Sequence, residues 1–129
     1  MKLDLLSSPL LTDLYQLTML QGYLDKGMTG EAVFEFFVRD LPRERGFLVA
    51  CGLETLLACL ESMRFREDEI DYLIGTGRFS GRLIDYLRGF RFSGDVYALP
   101  EGTVFFAREP VVRIVAPLPM AQFIETRLI

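Results

Sequence analysis

The hydrophobic period of the chain changes near Phe90, and that change restricts the fold more than any single residue does. Before it, apolar residues recur mostly at helical spacing: Leu14, Leu17, Leu20 and Leu24 in one segment, then Leu48, Leu53, Leu56, Leu57 and Leu60 in another. After it come three short runs rich in β-formers, Val96 to Leu99, Thr103 to Ala107 and Val111 to Ala116, punctuated by Pro100-Glu101-Gly102 and Arg108-Glu109-Pro110. This texture predicts a small β-meander. One strand precedes the switch: Glu31 to Arg39 alternates with Ala32, Phe34, Phe36 and Val38 on one face and Val33, Glu35, Phe37 and Arg39 on the other. Both faces are largely apolar, which predicts a central, buried strand. The order α, β, α, α, α, β, β, β, α therefore predicts an α+β domain, with helices packed on a mixed, largely antiparallel sheet.

Helix ends are written into the sequence with uneven clarity. Asp13 followed three residues later by Gln16 reads as an N-cap with its reciprocal partner, and Gly27 closes the helix that follows. Tyr15 then falls on the second helical residue, with its ring near the positive end of the helix. Two readings are open there: Asp13 caps and Tyr15 packs, or the ring projects toward something held at that end. Leu41 to Gly46 is a charged turn, and Phe47 to Met63 reads as a helix that contains Gly52. Cys51 and Cys59 would share one face of it, about 12 Å apart by helical rise, too far for a mutual disulfide. Both are read as small buried hydrophobes. Two short helices follow at Glu67 to Ile74 and Gly81 to Arg88, the second capped by Ser80, and the acids between Glu61 and Asp71 read as a solvated helix start. Gly75-Thr76-Gly77 has no strand before it and is not a nucleotide loop. Pro117 and Pro119 lead into a last amphipathic helix, Met120 to Ile129, which reaches the final residue without a glycine or polar tail. That pattern is expected of a piece cut from something longer, comprising residues 1–129 as one domain.

Composition removes several classes of function. Half of the 129 residues are hydrophobic, eleven are Phe and none is Trp, so one Phe-rich core is within reach. The mean hydropathy of +0.26 is high for a small monomer and predicts apolar surface turned toward something else. A net charge of −4 argues against a nucleic-acid surface, where positive charge should dominate. No run approaches a membrane span, and Met1 to Pro9 lacks the long apolar core of a signal peptide, so a cytoplasmic location is expected. The chain contains no histidine, no Gly-x-Ser-x-Gly elbow, no P-loop and no metal-ligand spacing. No catalytic residue is therefore assigned. Recognition groups remain: Tyr15, Asp13, Arg39, Arg43 and Arg45. Arginine suits phosphate because its planar fork donates two parallel charge-assisted hydrogen bonds. Arg39 has an alternative, a salt bridge with Glu35 two pleats back, and charges such as Arg43 and Arg45 in a turn are ordinarily only solvated.

Several segments carry a resemblance of greater specificity than these motifs. L-L-T-D-L-Y-Q-L-T-M, F-E-F-F-V-R-D-L-P, R-G-F-L-V-A-C-G-L-E, F-S-G-D-V-Y-A-L-P-E-G-T-V-F-F and A-Q-F-I-E-T, in order from about Leu10 to the end, closely resemble the N-terminal part of nicotinate phosphoribosyltransferase. The resemblance implies the N-terminal domain of a type II phosphoribosyltransferase without its (β/α) barrel. It implies an enzyme that joins nicotinate to phosphoribosyl diphosphate, coupled to ATP hydrolysis, with ATP and Mg served outside this portion and a homodimer in the complete enzyme. Carried over residue by residue, Tyr15 would stack on the pyridine ring across the dimer interface, Asp13 would shape the entrance, and Arg39 would approach the donor phosphates. A chain without histidine cannot carry that family's phosphohistidine, so these residues alone should not turn over. The competing expectation is an interaction module, the remnant of a split enzyme gene, whose apolar surface binds a partner without chemistry.

Overall fold

The computed structural model describes residues 8–129, so the reading of the first seven residues lies outside the described part. The elements are α1 (Leu14–Asp25), β1 (Glu31–Phe36), β2 (Leu48–Val49), α2 (Leu53–Ser62), α3 (Glu67–Gly75), α4 (Gly81–Arg88), β3 (Asp95–Ala98), β4 (Val104–Phe105), β5 (Val112–Pro117), α5 (Leu118–Phe123) and α6 (Glu125–Leu128). The α+β class stands, with antiparallel pairing throughout.

Strand order overturns two expectations. The main sheet runs β1-β5-β3, so β5 is central and β1 lies at an edge, alternating exposed and half-buried rather than buried on both faces. The alternating buried positions of β5, Val112, Ile114 and Ala116, are what a central strand packed on one face requires. The expected meander is absent because β4 leaves the sheet and pairs with β2 as a separate two-stranded ribbon, Leu48 opposite Phe105 and Val49 opposite Val104. Short apolar runs specify strand character but not partners, and the turn at Pro100-Glu101-Gly102 supplies the missing information. Its Glu101 carboxylate accepts hydrogen bonds from the backbone N–H groups of Gly52 (2.8 Å) and Leu53 (2.7 Å), so it caps α2 and fastens the ribbon to that helix.

That cap explains a third difference. The segment expected as one helix from Phe47 splits at Gly52, which takes φ +106°, a left-handed conformation that favours glycine. Leu48 and Val49 precede it as a strand, Cys51 is exposed outside any helix, and only Cys59 lies on α2. Both cysteines are free, and neither is the buried hydrophobe expected: Cys51 is exposed and Cys59 only half-buried. Similarly, the last expected helix begins two residues earlier, at Leu118 with Pro119 in its first turn, and breaks at Ile124 into α5 and α6. The Ser80 cap on α4 is as expected, its hydroxyl accepting from the Leu83 N–H. The acidic start of α3 is only partly solvated: Glu69 is buried, accepting from the Arg66 N–H at 2.9 Å and from the Ser8 hydroxyl.

The core forms where α5 is pressed against α1 on one side and against β1 and β5 on the other, while α4 links α1 to α3. Every residue from Pro119 to Phe123 is buried in consequence. Phe90, on the turn after α4, meets Phe123 edge to face at 5.2 Å between ring centroids, and Phe65 and Tyr86 at 6.1 and 5.9 Å. This cluster holds α5 in place, and α5 carries α6 toward the start of α1.

Candidate functional site

Asp13 occupies the N-cap position of α1 with extended backbone (φ −78°, ψ 146°), but its side chain makes no capping hydrogen bond. Gln16 meets it only through the backbone, its N–H donating to the Asp13 carbonyl at 3.0 Å, and makes no reciprocal side-chain cap. The helix instead turns Gln16 into the interior, 0% exposed, while Leu14, Tyr15 and Met19 face outward, at 52, 47 and 38% exposure. Periodicity placed Leu14 with the core leucines; burial of a polar glutamine in its stead is the physical reason that pattern misleads. Such a burial is tolerable only if the amide is fully bonded.

The amide of Gln16 meets that condition through α5 and α6. Its Nε2 donates to Glu125 Oε2 at 2.6 Å and to the Tyr15 hydroxyl oxygen at 3.0 Å. Its Oε1 accepts from Gln122 Nε2 at 2.8 Å, and Gln122 Nε2 also donates to Glu125 Oε2 at 2.9 Å. The Tyr15 hydroxyl donates to Glu125 Oε2 at 3.3 Å. Alongside, the Thr126 hydroxyl reaches Asp13 Oδ2 at 3.5 Å and lies 3.3 Å from Thr12 Oγ1. Tyr15 and Asp13 therefore sit together on a polar seam between the start of α1 and α6. The phenol is pushed above its ordinary pKa, first by partial desolvation and then by the Glu125 carboxylate, so it stays protonated and able to donate at neutral pH.

Arg39 lies three residues beyond β1, on a stretch still tied to the sheet by the Arg108 N–H donating to the Val38 carbonyl at 2.7 Å. The suspected bond with Glu35 is not made. Cross-strand register places Glu35 opposite Arg113, and that pair closes at 2.6 Å. Arg39 keeps no side-chain partner among the described residues and lines a cleft of about 340 Å³ with Phe34, Glu35, Phe37, Ala121 and Glu125. Glu125 thus touches both the Tyr15 seam and the Arg39 cleft. Arg43 and Arg45 are exposed in their turn, without ion-pair partners among the described residues, as charges there ordinarily are. Gln122 and Glu125 were not singled out from sequence, and Gln16 was read only as a capping partner; the spacing of Gln122 and Glu125, three residues apart in a segment that reads as one helix, was the available signal.

Residues 10–129 match the family model described as the nicotinate phosphoribosyltransferase (NAPRTase) N-terminal domain. The chain is 49% identical over 117 residues to the nicotinate phosphoribosyltransferase pncB2 of Mycobacterium tuberculosis, covering 91% of this chain and 25% of that protein. It is 41% identical over 119 residues to the nicotinate phosphoribosyltransferase of Bacillus subtilis, covering 92% and 24%. In structure it is similar to human nicotinic acid phosphoribosyltransferase, with a TM-score of 0.82 at 34% identity over 91% of this chain and 24% of the other. The chain spans about a quarter of the length of the curated relatives it matches.

Proposed function

The chain belongs to the nicotinate phosphoribosyltransferase N-terminal domain family, and from that premise we propose that it furnishes part of a composite site in which nicotinate is joined to phosphoribosyl diphosphate for NAD biosynthesis. Tyr15 supplies a ring face for the pyridine, Asp13 shapes the entrance beside it, and Arg39 grips the phosphates of the donor. The reaction is coupled to ATP hydrolysis in a cytoplasmic homodimer, and the barrel that completes each site comes from polypeptide beyond these 129 residues.

The observation that carries this reading is the condition of the two side chains. An aromatic ring anchored at its hydroxyl but half exposed, and an arginine that lines a cleft without closing an ion pair among the described residues, contribute little to stability as they stand. Each is suited to a ligand: the ring to a flat heterocycle, and the guanidinium to a diphosphate whose negative charge grows as it departs. Leu11 just before α1, with Leu14, Tyr15 and Met19 on its first half, also leaves an apolar surface, which fits coverage by a barrel. Among the described residues no group of three or more His, Cys, Asp or Glu side chains is placed to hold a metal ion. Among the described residues no helix is long and apolar enough to cross a membrane.

The test combines this chain with the remaining three quarters of a relative and measures nicotinate mononucleotide formation. Tyr15→Ala is expected to raise the KM for nicotinate by roughly two- to tenfold or more, the loss of an aromatic pair together with its burial. Arg39→Ala is expected to raise the KM for phosphoribosyl diphosphate by a larger factor, since a charge-assisted contact is lost. Unchanged kinetics for Tyr15→Ala would refute the stacking role and favour an interaction module.

A further inference from the structure

Resting on that reading, we propose that Glu125 is a positioning residue for the pyridine: it acts through the Tyr15 hydroxyl and fixes the plane of the ring on which the substrate stacks. The direction of each hydrogen bond supports this. Gln16 Nε2 can only donate, so the Tyr15 oxygen accepts from it at 3.0 Å, and the phenolic proton is left to point at Glu125 Oε2, 3.3 Å away. With its oxygen held from two sides, the side chain has little freedom left in either torsion, and the ring face stays presented. Glu125 Oε2 is itself fixed by two amides that are almost wholly buried, Gln16 at 0% and Gln122 at 6% exposure, one on α1 and one on α5.

A buried, fully satisfied network that ends at a half-exposed tyrosine calls for an account beyond packing, because apolar residues would fill the α1–α5 contact with no desolvation cost. Such networks specify one arrangement rather than add stability, and the arrangement specified here is that of the ring. Glu125 also borders the cleft that holds Arg39, so the frame that orients the pyridine site is continuous with the wall of the phosphate site.

The complemented enzyme of the preceding section provides the test, with Tyr15→Phe, Glu125→Ala, their combination, and Glu125→Gln. Tyr15→Phe keeps the ring and its fold while removing only the hydroxyl. It is expected to raise the KM for nicotinate about three- to tenfold, on the scale of the hydrogen bonding the hydroxyl gives up, with kcat within about twofold. Glu125→Ala should do the same, and the double variant should be no worse than either single one. Glu125→Gln retains an acceptor oxygen and should restore most of the affinity. A purely structural Glu125 would lower the amount of folded enzyme without moving KM. Additive effects in the double variant, or wild-type kinetics for Tyr15→Phe, would overturn the proposal. If Tyr15→Ala is impaired while Tyr15→Phe is not, only the role of Glu125 fails; if Tyr15→Ala is also silent, the stacking reading fails with it.

Discussion

Replacement of Gly94 by alanine tests the packing of the sheet that carries the site. Gly94 immediately precedes β3, where the chain runs antiparallel to β5 with Asp95 opposite Val115. A methyl group built on Gly94 would stand 2.6 Å from the Val115 carbonyl oxygen, 2.7 Å from the Ala116 Cβ and 3.2 Å from the Ala116 Cα. All three belong to the central strand, so no flexible side chain can rotate away. Ordinary contact distances of about 3.5 Å would require β3 to retreat by roughly 0.8 Å, and overpacking of this kind costs about 1–3 kcal/mol. For a domain of this size each kcal/mol shifts the melting temperature by about 4 °C, so Gly94→Ala should melt about 4–12 °C below the parent. Thermal unfolding followed by circular dichroism and by calorimetry measures this directly. A variant melting within about 1 °C of the parent would refute the close approach of β3 to β5.

The same substitution at Gly22 should have the opposite sign: nothing lies within 4 Å of the added methyl inside α1, and Gly22→Ala should gain about 0.5–1 kcal/mol in the same melting experiment. Phe90→Ala empties the centre of the aromatic cluster and should cost about 3–5 kcal/mol in urea unfolding, whereas Phe106→Ala, at a side chain 54% exposed, should change stability by less than about 0.5 kcal/mol. The Arg66 side chain donates to Asp68 at 2.9 Å and thereby holds that carboxyl below its ordinary value. Because the folded value is the lower one, the pair's stabilisation is present above about pH 4 and is lost as pH falls through the folded value. The stability difference between the parent and Asp68→Asn should therefore shrink as the solution is made acid, and a difference independent of pH would contradict it. The isolated chain should self-associate through its exposed apolar surface, and a monodisperse monomer at high concentration in sedimentation analysis would count against that.

Local chemistry was legible in the sequence wherever it acted over a few residues. Ser80 caps α4, Gly27 closes α1 with φ +66°, and α3 and α4 begin and end within a residue of their sequence-based limits. What escaped was decided by partners distant in the chain. Gln16 looked like the near half of a capping box because the far residues that bond it, Gln122 and Glu125, lie 106 and 109 positions away. β1 looked central because its alternation is apolar on both faces, yet Val33 is 59% exposed at a sheet edge. Arg39 had a salt bridge with Glu35 as one of its readings, and cross-strand register removed it by giving Glu35 to Arg113. The break at Ile124 left no mark in an amphipathic pattern that continues through it.

The first half of α1 inverts the usual logic of a surface helix, and the inversion connects fold to site. Gln16 is inside; Leu14, Tyr15 and Met19 are outside. Taken as stability alone, this arrangement is costly twice, once for desolvating an amide and once for leaving large apolar groups in water. The amide cost is met by the network through Gln122 and Glu125, which also fastens α6 to the helix start. The apolar cost is not met by anything within the described residues. A helix face of this composition is stable when another surface covers it, and relatives four times as long have ample chain to do so. The Tyr15 ring stands at the border of that uncovered face, anchored from behind by Glu125, so whatever covers the leucines will also close over the ring. The placement of an aromatic group at the edge of that uncovered face is thus a direct consequence of burying Gln16, and a pyridine stacked there, as proposed, would be shielded from water by whatever covers the face.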